Sequence, residues 1–250
     1  MNNFVKSQTG CDYRELIEGI NATPIRLCDQ KSVDINEKRY FGIRHDVDDD
    51  WPTSQKMAEF EASLGLKTTY YLLDSRRYFD YSPAFLKEVK AINNLGHEIG
   101  IHNDALIRWK MAGDKGDIRE MLDKPLRYLR SAGIEVVGTA AHGDQICRDM
   151  GFLTFEIWEE NSRAQKNPKL VFPRYSLKEF GLEYEAYFLK RTAYMSDNHG
   201  GWTGGVTWNI KPHEVLGKGI NQRKEILDGF HSLDHGMLQI LIHPQHWMAR

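Results

Sequence analysis

Several apolar runs of this chain end in residues that bind metals or carry protons. Asp46 and Asp48 close the run that begins at Phe41, and His102 closes the one from Glu98. His142 ends the run from Val136, and His243 ends the run from Leu238. The densest stretch is Arg44-His45-Asp46-Val47-Asp48-Asp49-Asp50-Trp51-Pro52. Carboxylates crowded in this way repel one another unless a cation or an arginine offsets the charge. In extended backbone Asp46 and Asp48 point to one side, where both can face one ion, and His45 points to the other. The plainer alternative is a solvated acidic loop, with Asp49 or Asp50 capping the next helix and favoured there by the helix dipole.

The elements that must position these residues alternate along the chain. Phe41–Val47 reads as a strand, and a helix follows from Pro52 with Met57, Phe60 and Leu64 on one face, stopped by Gly65. Thr68–Leu73 is β-branched and aromatic, hence a second strand. Ser82-Pro83 starts a helix carrying Phe85, Val89 and Ile92 that ends at Gly96, and Glu98–His102 is a third strand. A helix is expected over Asp117–Ala132, where Pro125 implies a kink or a late start. Val136–His142 is a fourth strand, weaker strands are expected at Phe152–Ile157 and Ala193–Ser196, and Leu238–His243 follows a helix around Asn221–Phe230. The less regular Pro168–Arg191 reads as an inserted hairpin or lid.

Strands alternating with helices predict parallel pairing and right-handed crossovers, compatible with a wound sheet or a barrel. In either, the carboxyl ends of the strands share one face, so Asp46, Asp48, His102, His142 and His243 are expected to converge. With no repeat, low-complexity tract or linker, one domain over residues 1–250 is the expectation.

Composition narrows the class. A net charge of −2, with both signs interspersed, gives no sign of a general affinity for nucleic acid or anionic membrane. Cys11, Cys28 and Cys147 are odd in number and lack metal-like spacing, so no disulfide framework is expected. The first residues carry no apolar stretch typical of a signal peptide, and no window approaches a membrane span, so a cytoplasmic protein is expected.

Two strings resemble the motifs of a known family. The strand leading into Asp46-Val47-Asp48, followed by Leu95-Gly96-His97-Glu98-Ile99-Gly100-Ile101-His102-Asn103, is similar to the first two motifs of NodB-like polysaccharide deacetylases, the carbohydrate esterase family 4 type. Leu241-Ile242-His243-Pro244 looks like the family's last motif, and together these elements span residues 40–247. The resemblance extends to deacetylases of bacterial O-antigen gene clusters. It implies a distorted (β/α) barrel of about seven strands and hydrolysis of an N- or O-acyl group on a sugar. That activity is a hydrolase reaction on C–N bonds other than peptide bonds when the group is N-acetyl. The family usually places a second histidine four residues after the first, and here that position is Leu106. The usual Asp-His-His triad is therefore not completed locally, and His142, at the end of the next strand, is the expected substitute.

On this reading Asp48, His102 and His142 hold a divalent ion, with zinc the first expectation and iron, cobalt or nickel also compatible. By family analogy Asp46 is the general base, and His243 is the general acid that protonates the leaving group. Arg44 either holds Asp46 ionised or orients His243. Asp197, within Tyr194–Trp202, is expected to orient a catalytic group or to meet the substrate, with His199, Trp202 and Arg174 as further substrate contacts. An ordinary Asp/Asn/Gly turn explains the Asp197–Gly201 stretch equally well. His97 and His45 are expected to be structural. The expected partner is an acylated sugar destined for a surface polysaccharide. Two alternatives stand beside it: a non-catalytic NodB-like barrel that binds a glycan, and a metal amidohydrolase acting on a non-sugar amide.

Overall fold

The structure is a computed structural model that describes residues 3–7, 9–198, 201–206 and 220–249. In chain order its strands are β1 (Phe4–Lys6), β2 (Thr23–Pro24), β3 (Arg39–Val47), β4 (Thr69–Leu72), β5 (Glu98–Asn103) and β6 (Gly138–Ala141). They continue with β7 (Tyr184–Glu185), β8 (Ala193–Ser196), β9 (Thr203–Val206), β10 (Gly236–Ile242) and β11 (Trp247–Ala249). The α-helices are α1 (Tyr13–Glu18), α2 (Trp51–Ser63), α3 (Pro83–Asn94), α4 (Ala105–Met111), α5 (Ile118–Ser131), α6 (Gln145–Met150) and α7 (Ile220–His231). The chain is thus mixed α/β, as its alternating pattern predicts. No helix among the described residues is long and apolar enough to cross a membrane.

The chain divides into two compact units. The first comprises Met1–Tyr70, Ala91–Glu98 and Lys190–Arg250, and the second Tyr71–Lys90 and Ile99–Leu189. In the first, β10 pairs in parallel with both β3 and β8, β2 pairs in parallel with β3, and β9 folds back antiparallel on β8. A separate two-stranded ribbon joins β1 to β11. Its core gathers Phe4, Tyr13, Ile43, Met57, Phe60, Met195, Trp202, Ile240 and Trp247. In α2, Asp50 caps the first turn by accepting from the Thr53 N–H at 3.0 Å, and Met57 and Phe60 lie on its buried face.

In the second unit β6 pairs in parallel with β5 and with β7. Two glycines make this packing possible. A Cβ on Gly100 would lie 2.5 Å from the Tyr71 ring, and one on Gly138 would lie 2.4 Å from the Tyr184 ring. Those two rings meet over the glycines through a 2.9 Å hydroxyl hydrogen bond. The glycine inside Gly-His-Glu-Ile-Gly-x-His is therefore a packing requirement of the strand that carries His102.

Three expectations change. Phe152–Ile157 forms no strand: Thr154–Ile157 is a 3₁₀ turn, with the Glu156 N–H on the Leu153 carbonyl and the Trp158 N–H on the Phe155 carbonyl. Pro168–Arg191 is not a hairpin, since it carries a Ser176/Glu179-capped 3₁₀ turn and then β7, which extends the parallel pairing of β6. The helix α5 does not start late, since it runs from Ile118 through Pro125 to Ser131. The Met121 carbonyl, four residues earlier, is deprived of its usual N–H and accepts from the Arg108 guanidinium instead.

Beneath β3, on the face opposite Asp46, lies a buried polar network. Glu61 of α2 is fully buried and accepts from Tyr13, His45 (2.8 Å), Thr68 (2.8 Å) and Tyr70 (2.7 Å). His45 also stacks on Tyr70, and His97 accepts the Thr68 N–H while donating to the Ala58 carbonyl. Both histidines are thus structural. Burial alone would raise the Glu61 carboxyl, but the charges and hydrogen bonds of His45, His97 and Tyr13 pull it down from 4.5 to about 2. A carboxyl depressed in the folded state adds stability that is present above its unfolded pKa and is lost as pH falls towards its folded one. Glu61→Gln is therefore expected to cost about 3 kcal/mol at neutral pH. Chemical denaturation between pH 5 and pH 2 should show a flatter acid dependence in the variant; an unchanged profile would remove Glu61 as the anchor of α2.

Candidate functional site

In the first unit, strand register assembles the site. β3 alternates its side chains, so Arg44 and Asp46 share one face. Both are buried, with 3.3 Å between guanidinium and carboxylate. The chain then turns sharply, the Asp48 N–H donating to the Asp46 carbonyl at 3.1 Å. Ile242 of β10 stands opposite His45, so His243, one residue on, emerges level with Asp46. Leu241 stands opposite Ser196 of β8, which delivers Asp197 to the other side of His243.

The resulting geometry is a carboxylate–imidazole pair. Asp197 takes the His243 ring nitrogen Nδ1 at 2.6 Å through Oδ1 and the His243 backbone N–H at 3.0 Å through Oδ2. The Trp247 indole N–H also donates to Oδ2 at 3.0 Å, and His246 Nδ1 lies 3.4 Å from it. Because Asp197 accepts, Nδ1 of His243 carries the proton, and Nε2 faces Asp48 at 3.9 Å. The Gln245 amide donates to Asp48 at 3.2 Å.

Electrostatics follow from burial and these partners. Burial would push the Asp197 carboxyl up, yet hydrogen bonds from His243 and His246 and the charges of His243 and Lys6 hold it far below the usual carboxylate range. Burial would lower His243, but the Asp197 bond, aided by the charges of Asp197, Asp46 and Asp48, leaves its pKa raised. Asp197, His243 and His246 offer ligand atoms within 4.8 Å of one another, a group that can hold a metal ion by spacing. The 2.6 Å ring contact and the indole donor on the same carboxylate favour a shared proton there instead.

The second unit carries two more expected ligands. His102 of β5 stands opposite Ala140 of β6, and His142 follows the end of β6, its backbone N–H on the Asn103 carbonyl at 2.9 Å. His102 Nδ1 lies 2.9 Å from the Ala140 carbonyl oxygen, which only accepts, so the proton sits on Nδ1 and the Nε2 lone pair points outward. His142 Nδ1 lies 3.1 Å from that Nε2, and the two rings meet edge to face with centroids 4.8 Å apart. Two nitrogens each about 2.0–2.1 Å from one tetrahedral zinc stand about 3.3 Å apart. The pair is therefore spaced as two ligands of one ion. Leu106 is wholly buried in α4 and belongs to the core.

A scan of family models and searches of curated proteins and solved structures find no match to this chain. The functional reading rests on the residues themselves.

The expected substrate contacts fare differently. Asp197 is fully buried, with both oxygens engaged by protein donors, so it orients His243 and does not meet a substrate. Trp202 is also fully buried, edge-on to Trp247 in the core, and offers no face to a sugar. Arg174 is exposed but its guanidinium donates to the Trp158 carbonyl at 2.8 Å, tying a surface segment together. His199 lies outside the described residues. Sequence reasoning missed Glu61, Lys6, Gln245 and the His246–Trp247 pair. The last three had a signal in His243-Pro244-Gln245-His246-Trp247, where polar and aromatic groups crowd behind a strand-end histidine.

Asp197→Asn removes the charge that raises His243. In the metal-free protein, imidazole NMR is expected to show the His243 titration midpoint moving down in this variant; an unmoved midpoint would mean that Asp197 does not govern the ring.

Proposed function

We propose that the chain is a metal-dependent deacylase of acylated sugars, with Asp48, His102 and His142 as ligands of one divalent cation. The observation that carries this reading is the 3.1 Å separation of the His102 and His142 ring nitrogens, with the His102 tautomer set by the Ala140 carbonyl. Two imidazoles and one carboxylate make a ligand set that suits zinc and leaves a position for water. The NodB-like motif strings point the same way and supply the barrel as the proposed architecture.

When bound, the ion supplies Lewis-acid chemistry, acidifying a water and polarising an acyl carbonyl. The chain's own residues do the rest. Asp46 receives the proton from the attacking water, with the Arg44 guanidinium 3.3 Å from its carboxylate. His243, with Nδ1–H committed to Asp197, presents Nε2 as the atom that hands a proton to the departing nitrogen or oxygen. The substrate proposed is an N-acylated sugar on its way into a bacterial surface polysaccharide such as an O-antigen, handled in the cytoplasm. A second reading, a barrel that binds a glycan without hydrolysing it, is favoured by the buried Leu106 where a ligand would otherwise stand. Metal content together with turnover of a generic N-acetylated sugar separates the two: a bound ion with no turnover supports the binder.

Two variants test the assignment. Asp46→Asn is expected to lower turnover by roughly 10²–10⁴-fold with the metal retained, whereas loss of the ion would exchange the roles of Asp46 and Asp48. His142→Ala is expected to deplete zinc by elemental analysis, and full occupancy would remove it from the ligand set.

A further inference from the structure

A lysine ammonium is almost never fully buried without a partner, yet Lys6 is only 1% exposed. It belongs to β1, whose antiparallel pairing with β11 sets Lys6 opposite Trp247. Its Nζ donates to the Asp197 main-chain carbonyl at 2.7 Å and lies 5.7 Å from the centre of the Trp202 ring, within cation–π range. Trp247, its cross-strand neighbour, donates to the Asp197 carboxylate. The residue that holds His243 is therefore itself held from the ribbon, through its backbone by Lys6 and through its side chain by Trp247.

We propose that Lys6 is a positioning residue for the Asp197–His243 pair, fixing the Asp197 main chain and supplying the buried positive charge that balances its carboxylate. The remaining ionisable neighbours fit that role. His243 and His246 face the carboxylate from the segment after β10, Asp46 and Asp48 bring negative charge to His243, and Cys11 and Tyr13 carry no positive charge. Lys6 thus brings positive charge to Asp197 from outside the segment that carries His243 and His246. Burial lowers the ammonium pKa, and the Asp197 charge opposes that change, as mutual compensation requires. A lysine kept only for its apolar stem would extend its head to water, whereas here the head donates to the Asp197 carbonyl inside the fold. Removing the charge takes away one of the groups that compensate the buried Asp197 carboxylate, which loosens the hold on the His243 Nδ1–H.

The consequence for turnover rests on the deacylase reading of His243, while the effect on the pair does not. Proton NMR of the full chain should show a far-downfield exchangeable signal from the His243 Nδ1–H, identified by its loss in Asp197→Ala. In Lys6→Met, which keeps the stem, and in Lys6→Gln, which keeps a donor without the charge, that signal is expected to move upfield or vanish. Lys6→Arg, which retains the charge, should preserve it. An unchanged signal in both neutral variants would overturn the proposal and reduce Lys6 to packing. If neither neutral variant folds, the wild type and Asp197→Asn decide: the ¹⁵N resonance of the Lys6 ammonium should shift in Asp197→Asn, and an unshifted resonance would overturn the proposal. With an acylated sugar that turns over, Lys6→Met should lower kcat by roughly tenfold or more with KM and metal content unchanged. A perturbed NMR signal in a protein that hydrolyses no acylated sugar would sink the deacylase reading and leave the role of Lys6 standing.

Discussion

The functional account depends on two imidazole nitrogens standing 3.1 Å apart at the ends of adjacent parallel strands. That distance suits either a shared proton or a shared cation. The orientation of His102 sets what the ring can offer to either. With its Nδ1 proton spent on a backbone carbonyl, the ring can offer only a lone pair at Nε2. Ring orientation here is a property of the sheet, because the acceptor is the main chain of the neighbouring strand and no side-chain rearrangement replaces it.

The other half of the chemistry is organised by burial of charge. Asp197 is sealed from water, and every oxygen it presents is met by a donor: the His243 backbone and ring, the Trp247 indole and, at the main-chain carbonyl, Lys6 from the far end of the chain. Such a carboxylate is costly to bury and strongly held once its partners are in place. The same logic operates on the far face of β3, where Glu61 collects four donors and anchors α2 against the strand that carries Arg44 and Asp46. Alternation along one strand thus separates the Glu61 network from the face that carries Arg44 and Asp46.

Much of this was legible in the chain. The strand-end positions of Asp46 and His243 in one unit, and of His102 and His142 in the other, followed from short apolar runs and their flanking glycines and prolines. The structural roles of His45 and His97 were legible from the two-residue period. Less legible were features that depend on partners distant in sequence. Trp202 looked like a loop residue available to a sugar, but the β8–β9 hairpin folds it into the core. Glu61 gave no local sign of its role, since nothing in a helical Glu announces two tyrosines, a threonine and a histidine converging on it. Lys6 sits in a three-residue strand whose partner is at the opposite end of the chain. Arg108 filling the gap left by Pro125 was equally invisible, because the compensating donor comes from another helix.

X-ray absorption spectroscopy on zinc-loaded protein tests the central claim most directly. One tightly held zinc per chain, in a shell of nitrogen and oxygen whose outer scattering requires two imidazoles, is the result expected here. A protein that retains no stoichiometric ion, or one whose zinc shows no imidazole scattering, would contradict the account.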